Sequence, residues 1–211
     1  MSTAEKRAYR SPKREARAAE TRARIVAAAA DCFTRTGYAG TTMQAIAEHA
    51  GVSVETVYAN GPKRLLLVAA FETSFAGDEG RQPLGDRPEA RQILELPDRD
   101  ALIDDGVRFV AAANARSSGL WRAFRSAANS DPEVQEVMDD LVARRTIDFA
   151  NNVSALAGLG PVASADLDRL ATAMTFLLSH EGYELMVELG GWSLEEYAEW
   201  VASAVRKLVV Q

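Results

Sequence analysis

The chain has one cysteine, Cys32, in 211 residues, so it offers neither a disulfide framework nor a cysteine-based zinc site. Its two histidines, His49 and His180, each lack a second ligand at metal spacing. No apolar run approaches the length of a membrane span; the longest is Leu65 to Phe71. The basic N-terminal stretch leads into more charge rather than an apolar core, which is not the pattern of a secretory signal. Alternating strand patterns, internal repeats and a phosphate-cradling glycine loop are all missing. The carboxylate pairs Asp104-Asp105, Asp139-Asp140 and Glu195-Glu196 are sequence neighbours, which on a helix point about 100° apart and do not converge on a substrate. These absences predict an all-α protein without metal or cofactor, suited to a reducing cytoplasm and not to a membrane.

The composition, 47% hydrophobic and 26% charged, is that of a globular chain. The net charge of −6 is unevenly spread. Residues 1–70 hold 11 Lys/Arg against six Asp/Glu, so the excess of acid lies entirely behind them. A basic head on an acidic body is the asymmetry expected when one end meets phosphates.

The stretch TTMQAIAEHAGVSVETVYANGPK, Thr41 to Lys63, organises the reading. The Thr42 hydroxyl can cap a helix over about Met43 to Ala50. Gly51 falls where the chain must turn in a left-handed conformation that costs glycine little. Ser53 caps a second helix, and Glu55 in its first turn suits the helix dipole. Ile46 and Ala47 face inward, Val52 and Val57 pack the pair together, and Val54, Glu55, Thr56, Tyr58 and Ala59 look outward. The bland reading is an ordinary helical corner. The sharper one is a helix-turn-helix that places its second helix in a major groove.

Around this stretch the sequence predicts three parts: a disordered basic arm over 1–19, a DNA-binding domain over 20–75 and a helical body over 76–211. Arg10, Lys13 and Arg14 of the arm are placed to follow a phosphate backbone. A first helix over 20–36 buries Ile25, Ala28, Ala29, Cys32 and Phe33, and Gly37 ends it. Pro62 opens a fourth helix; Lys63 and Arg64 at its start suit its dipole poorly, an argument that they face phosphate. Residues 77–97, with three glycines and three prolines, read as loop. Behind them come a helix to about Ala115 that Gly119 breaks, a short helix over Leu120 to Ala128, and a helix started by Ser130-Asp131-Pro132-Glu133. A long helix from about Ser164 to Gly190 and a last one capped by Ser193 bring the total to about nine.

The run TTMQAIAEHAGVSVETVY, the helix before it, the Gly37-Tyr38 pair and Lys63 resemble the DNA-binding signature of TetR-type bacterial transcriptional regulators. The ending GGWSLEEYAEWVASAVRKLV is similar to tails in that family. The resemblance is specific over about residues 20–75. It implies a homodimer with a three-helix head, a linking fourth helix, and a body that binds a small-molecule effector. By position it makes Thr42, Thr56, Tyr58 and Lys63 phosphate contacts, with Ser53 beside them, and makes Val54 and Glu55 candidates for reaching base edges. Its DNA partner is then a palindromic operator, and repression is its common mode. The chain departs from the pattern after Tyr58, where Ala-Asn-Gly-Pro-Lys lacks a phenylalanine and is one residue short, so the junction between third and fourth helices is altered.

In the body, Phe109, Trp121, Phe124, Met138, Phe149, Met174 and Phe176 are expected to surround a largely apolar cavity, with Asn114 and His180 as its polar groups. Leu178, Tyr183, Trp200, Ala204 and Leu208 on the last helices are candidates for the dimer seam. The rival class, an all-α binding module or enzyme with no DNA role, lacks a visible nucleophile with an activating base.

Overall fold

A computed structural model describes residues 12–80, 82–160 and 167–209; among them the chain is helical with no strand. Helix α1 (Pro12–Gly40) buries Ile25, Val26, Ala28, Ala29, Cys32 and Phe33 and kinks at Gly37, where φ is 69° and ψ 174°. Residues 12–19, the end of the basic arm and the part of it where a helix could be expected, form its exposed first turns. Alanine, arginine, lysine and glutamate there are strong helix formers, and they extend a helix already anchored by its buried half. Arg10 lies outside the described residues.

Helices α2 (Met43–Ala50) and α3 (Val54–Ala59) follow, then α4 (Lys63–Ala76). The glycine- and proline-rich segment behind α4 is not bare loop: it holds a 3₁₀ turn at Leu84–Asp86 and α5 (Pro88–Leu94), which has proline in its first turn.

Helix α6 (Arg99–Ala128) is a continuous 30-residue helix capped by Asp98. Gly119 does not break it. A Cβ at that position would stand 2.7 Å from Thr34 Cγ2, so the missing side chain lets α6 close onto α1. Asp131 starts α7 (Pro132–Gly158), its carboxylate accepting the N–H groups of Glu133 and Val134.

The expected long helix toward Gly190 is cut in two. Helix α8 (Leu167–Leu177) stops, and the Ser179 hydroxyl accepts the Gly182 N–H at 2.9 Å to start α9 (His180–Tyr183), which continues as a π-helical stretch, Glu184–Leu189. Helix α10 (Leu194–Val209) opens on a reciprocal cap, Ser193 Oγ accepting from Glu196 N and Glu196 Oε2 from Ser193 N. Ten α-helices thus stand among the described residues.

Two buried clusters hold them. The first joins Phe33, Ile46, Val57, Leu66 and Phe71 of α1 to α4 with Trp121 and Phe124 of α6 and Val134 of α7. Phe71 is its hub, with ring centroids 5.5 Å from Trp121 and 6.1 Å from Phe124. The second joins Ile103, Val107 and Val110 of α6 with Val153, Met174, Tyr197, Val201 and Val205. No described helix is long and apolar enough to cross a membrane.

Candidate functional site

The local chemistry of the head builds the two-helix unit as the residues dictate. Thr42 Oγ1 accepts the Ala45 N–H at 3.0 Å, and Ser53 Oγ accepts the Thr56 N–H at 3.2 Å. Gly51, at φ 65° and ψ 40°, closes α2 with its own N–H to Glu48 O, while the Val52 N–H reaches Ala47 O. Val57 is fully buried and anchors α3, leaving Ser53, Glu55 and Tyr58 exposed; Tyr58 keeps 63% of its surface. Thr42 is exposed at the start of α2, and Lys13 and Arg14 on the first turns of α1. Val54, expected to look outward, is half-buried against the core. Thr56 is also half-buried, its hydroxyl 3.0 Å from Ser53 Oγ. Hydrogen bonds from its own backbone and from Ser53 hold the Glu55 carboxyl below the usual range, the mark of a first-turn cap.

The shortened junction is braced by polar contacts. Asn60 Nδ2 donates to Thr56 O at 2.8 Å, and Arg22 of α1 donates to Asn60 O while pairing with Glu79 at 2.7 Å. Lys63 does not project as a free phosphate ligand. Its Nζ donates to Tyr38 O at 2.9 Å and Thr41 O at 3.1 Å and lies 4.2 Å from the Tyr38 ring centroid. Those carbonyls, at the end of α1 and just beyond it, give the ammonium at the positive N-terminus of α4 a negative partner; the Tyr38 carbonyl also accepts the Thr41 N–H. Arg64 is engaged by Glu133 at 2.9 Å. His49 meets Asp31 at 2.9 Å across the outer face of the head.

The body holds two adjoining cavities of about 60 and 90 Å³ that share Leu84, Val110, Phe149 and Asn152. Phe109, Phe149 and Met174 line the first, and Phe149 and His180 the second. Five expected lining residues lie elsewhere. Trp121 and Phe124 belong to the core that joins head to body, and Met138 packs on it. Asn114 is buried, its amide N–H groups given to Leu178 O at 3.0 Å and Ser179 O at 3.4 Å. Phe176 points away from both cavities, with 73% of its surface exposed.

The second cavity is largely apolar in surface, with Phe71, Phe75, Leu141 and Phe149 in its wall, but charged side chains border it as well: Glu72, Arg87, Arg144, Arg145 and Asp148. Arg144 pairs with Glu72 and Asp140, each at 3.2 Å, and Arg87 with Asp78. Asp148 accepts the Leu84 N–H at 3.2 Å, and burial pushes its carboxyl up. Arg145 Nη2 donates to Leu178 O, and its Nη1 lies 3.4 Å from His180 Nδ1. Ser117 Oγ donates to Ala113 O at 2.7 Å and lies 2.8 Å from His180 Nε2. The hydroxyl proton being committed, Nε2 carries the imidazole hydrogen and Nδ1 is the acceptor facing Arg145. Burial, then the Arg145 charge, push His180 down to about 2, and burial lowers Arg145 to about 10. A pattern in the sequence could have found Arg145: it is four residues beyond Leu141 and four before Phe149, on the inward stripe of α7.

Leu178 and Tyr183 are buried inside their own chain, at 2% and 8% exposure, so they cannot meet a second copy. The break at Ser179 turns both inward, where Leu178 lines the first cavity. Trp200 and Leu208 are exposed and Ala204 half-exposed on α10. Ala173, Phe176 and Leu177 of α8 form a shallow groove with Ala204 and Leu208.

Among the described residues no group of three His, Cys, Asp or Glu side chains could hold a metal ion. A family model described as bacterial regulatory proteins, tetR family, matches residues 25–60, from the buried half of α1 through α3. The chain is 30% identical to the HTH-type transcriptional repressor KstR of Rhodococcus jostii RHA1 over 165 residues, 74% of each chain. It is 32% identical over 166 residues to an uncharacterised HTH-type transcriptional regulator of Mycobacterium tuberculosis H37Rv, covering 75% of this chain and 78% of that one. Among solved structures, a candidate TetR-family transcriptional regulator from Mesorhizobium loti MAFF303099 aligns with a TM-score of 0.71 at 20% identity, over 91% of this chain and 96% of its own. A candidate regulator from Saccharomonospora viridis, solved with choline, aligns at 0.70 and 18% identity, over 92% and 99%. These relatives are regulators of transcription and not enzymes, which removes the catalytic reading. With the capped helix-turn-helix in its basic head, the chain belongs to the TetR family of DNA-binding transcriptional regulators.

Proposed function

We propose that the chain is a cytoplasmic homodimeric repressor that holds a palindromic operator and releases it when a small molecule enters the body. The observation that carries this reading is the continuity of α4. Its first residue, Lys63, is tied to the carbonyls at the α1 kink, and its Phe71, Glu72 and Phe75 form a wall of the charged cavity. Cavities of about 60 and 90 Å³ fall below the roughly 300 Å³ of ordinary ligand sites, so an effector must move a wall. Displacing α4 then changes the angle of α2 and α3. The effector acts only through its different affinities for the two head positions; a full reversal of their populations takes about 5.5 kcal/mol.

The exposed apolar residues Phe176, Trp200 and Leu208 support pairing through α8 and α10. A two-fold pair would set its recognition helices roughly 34–36 Å apart, in successive major grooves. Duplexes selected from a random pool should be enriched in an inverted repeat, and sequence-blind recovery would sink the reading. Sedimentation at micromolar concentration should give twice the chain mass; a monomer would refute the dimer.

A further inference from the structure

We propose that the effector, on the reading above, is an amphiphilic carboxylate: a medium-chain carboxylic acid whose head pairs with Arg145 and whose chain enters the apolar cavity between α6, α7 and α8 and widens it by the wall movement described above. Three observations lead there. First, the acids around the charged cavity are already engaged. Glu72 is held by Arg144 and by the Gly80 N–H at 3.0 Å, Asp148 accepts the Leu84 N–H, and Arg87 has Asp78. Second, Arg145 forms no ion pair with a described residue; its partners are a carbonyl and a neutral imidazole. A guanidinium has five N–H donors, and one largely withdrawn from water with no carboxylate in contact, only the Glu181 charge acting through space, is a costly arrangement that an incoming anion relieves. The His180–Ser117–Ala113 chain fixes the imidazole against which the guanidinium sits, and Arg145 is itself part of the cavity wall.

Third, the adjoining cavity suits a hydrocarbon. Leu102, Ile103, Val107, Leu156 and Met174 line it, and Phe149 is shared with the charged side, 5.6 Å beneath the Arg145 guanidinium. At about 1.5 Å per residue, α7 carries the wall roughly 16 Å from Arg145 to Leu156, the length of an extended acid of about ten to twelve carbons. A cationic ligand would instead meet the Arg145 guanidinium, with Arg87 and Arg144 beside it on the same cavity.

Calorimetry on the full chain without DNA, below micelle concentrations, tests the ligand class with octanoate, decanoate, dodecanoate, decanol and decyltrimethylammonium. Decanoate should bind at least about tenfold more tightly than decanol, and decyltrimethylammonium should not bind. Arg145→Met should remove the preference for decanoate over decanol, with Arg145→Lys restoring part of it. Should Arg145→Met fail to fold, Met174→Trp, which shortens the apolar chamber and leaves the head site intact, should move the preference from dodecanoate toward octanoate. Equal binding of decanol and decanoate to the wild-type chain would overturn the proposal, as would undiminished decanoate binding by a folded Arg145→Met chain. Release of a selected operator by decanoate is measured separately. Binding without release would leave the ligand class standing and remove the effector role.

Discussion

Lowering the pH from 7.5 to 5.0 should weaken the folded chain by about 2 kcal/mol through His180 alone. The ring is buried against Trp121, with centroids 4.7 Å apart, and its acceptor nitrogen faces the Arg145 guanidinium. Both surroundings oppose a second proton, burial more than charge, and hold the folded value at about 2 against an ordinary 6.5. Between those values the unfolded chain binds a proton that the folded chain does not. This contribution to stability is therefore complete above pH 6.5 and is lost as the pH falls. At pH 5.0 the loss is set by the unfolded imidazole, about 1.5 units above the pH at about 1.4 kcal/mol each, and hardly depends on how far below 4 the folded value lies. Urea unfolding of the wild type and of His180→Gln at both pH values isolates the effect from every other titrating group. The stability advantage of the wild type over the variant should shrink by about 2 kcal/mol at the lower pH. An advantage that changes by less than about 0.5 kcal/mol would show that the folded ring titrates normally and that the Arg145–His180–Ser117 chain is misassigned.

Gly119→Ala should destabilise by about 1 kcal/mol, because a clash of about 1–3 kcal/mol with Thr34 outweighs a helix-propensity gain of up to about 1. In a Thr34→Ser background the sign should reverse, and thermal melts of the four combinations measure it. Ser53→Ala removes the cap of α3 and should lower stability by about 1 kcal/mol in urea melts; an unchanged midpoint would show that the cap contributes nothing. Lys63→Met should lower the melting temperature while leaving the salt slope of operator binding intact, since the ammonium is spent on Tyr38 and Thr41 carbonyls. A slope reduced by about 1 would return Lys63 to the phosphate backbone.

The head was legible because its determinants are local. Thr42 and Ser53 each cap a helix three residues from their partner, and Gly51 turns the chain between them. What was hidden depends on distant neighbours. Gly119 reads as a breaker in isolation, and only Thr34, far away in sequence, explains it as a point of close approach. Leu178 and Tyr183 sit on helices with apolar residues on several sides, so periodicity could not say which side faces the chain's own core. Arg145 lies on the inward stripe of α7 between Leu141 and Phe149, where a lone charge is masked by its hydrophobic neighbours. The dipole of α4 says only that Lys63 needs a negative partner, and the carbonyls that take it up belong to Tyr38 and Thr41, more than twenty residues earlier.

The core centred on Phe71 bears on how such a regulator can be recombined. Its ring meets Trp121 and Phe124 from α6, as well as Phe75 and His180. A hybrid that takes a foreign head at the end of α4 keeps the peptide chain intact but divides a single packed unit between two ancestries. Heads and bodies drawn from different lineages will combine only when the second half of α6 and the start of α7 travel with the head, or when the two parents share this aromatic nest. New operator specificity should therefore arise more readily by substitution on the exposed face of α3 than by exchange of whole heads.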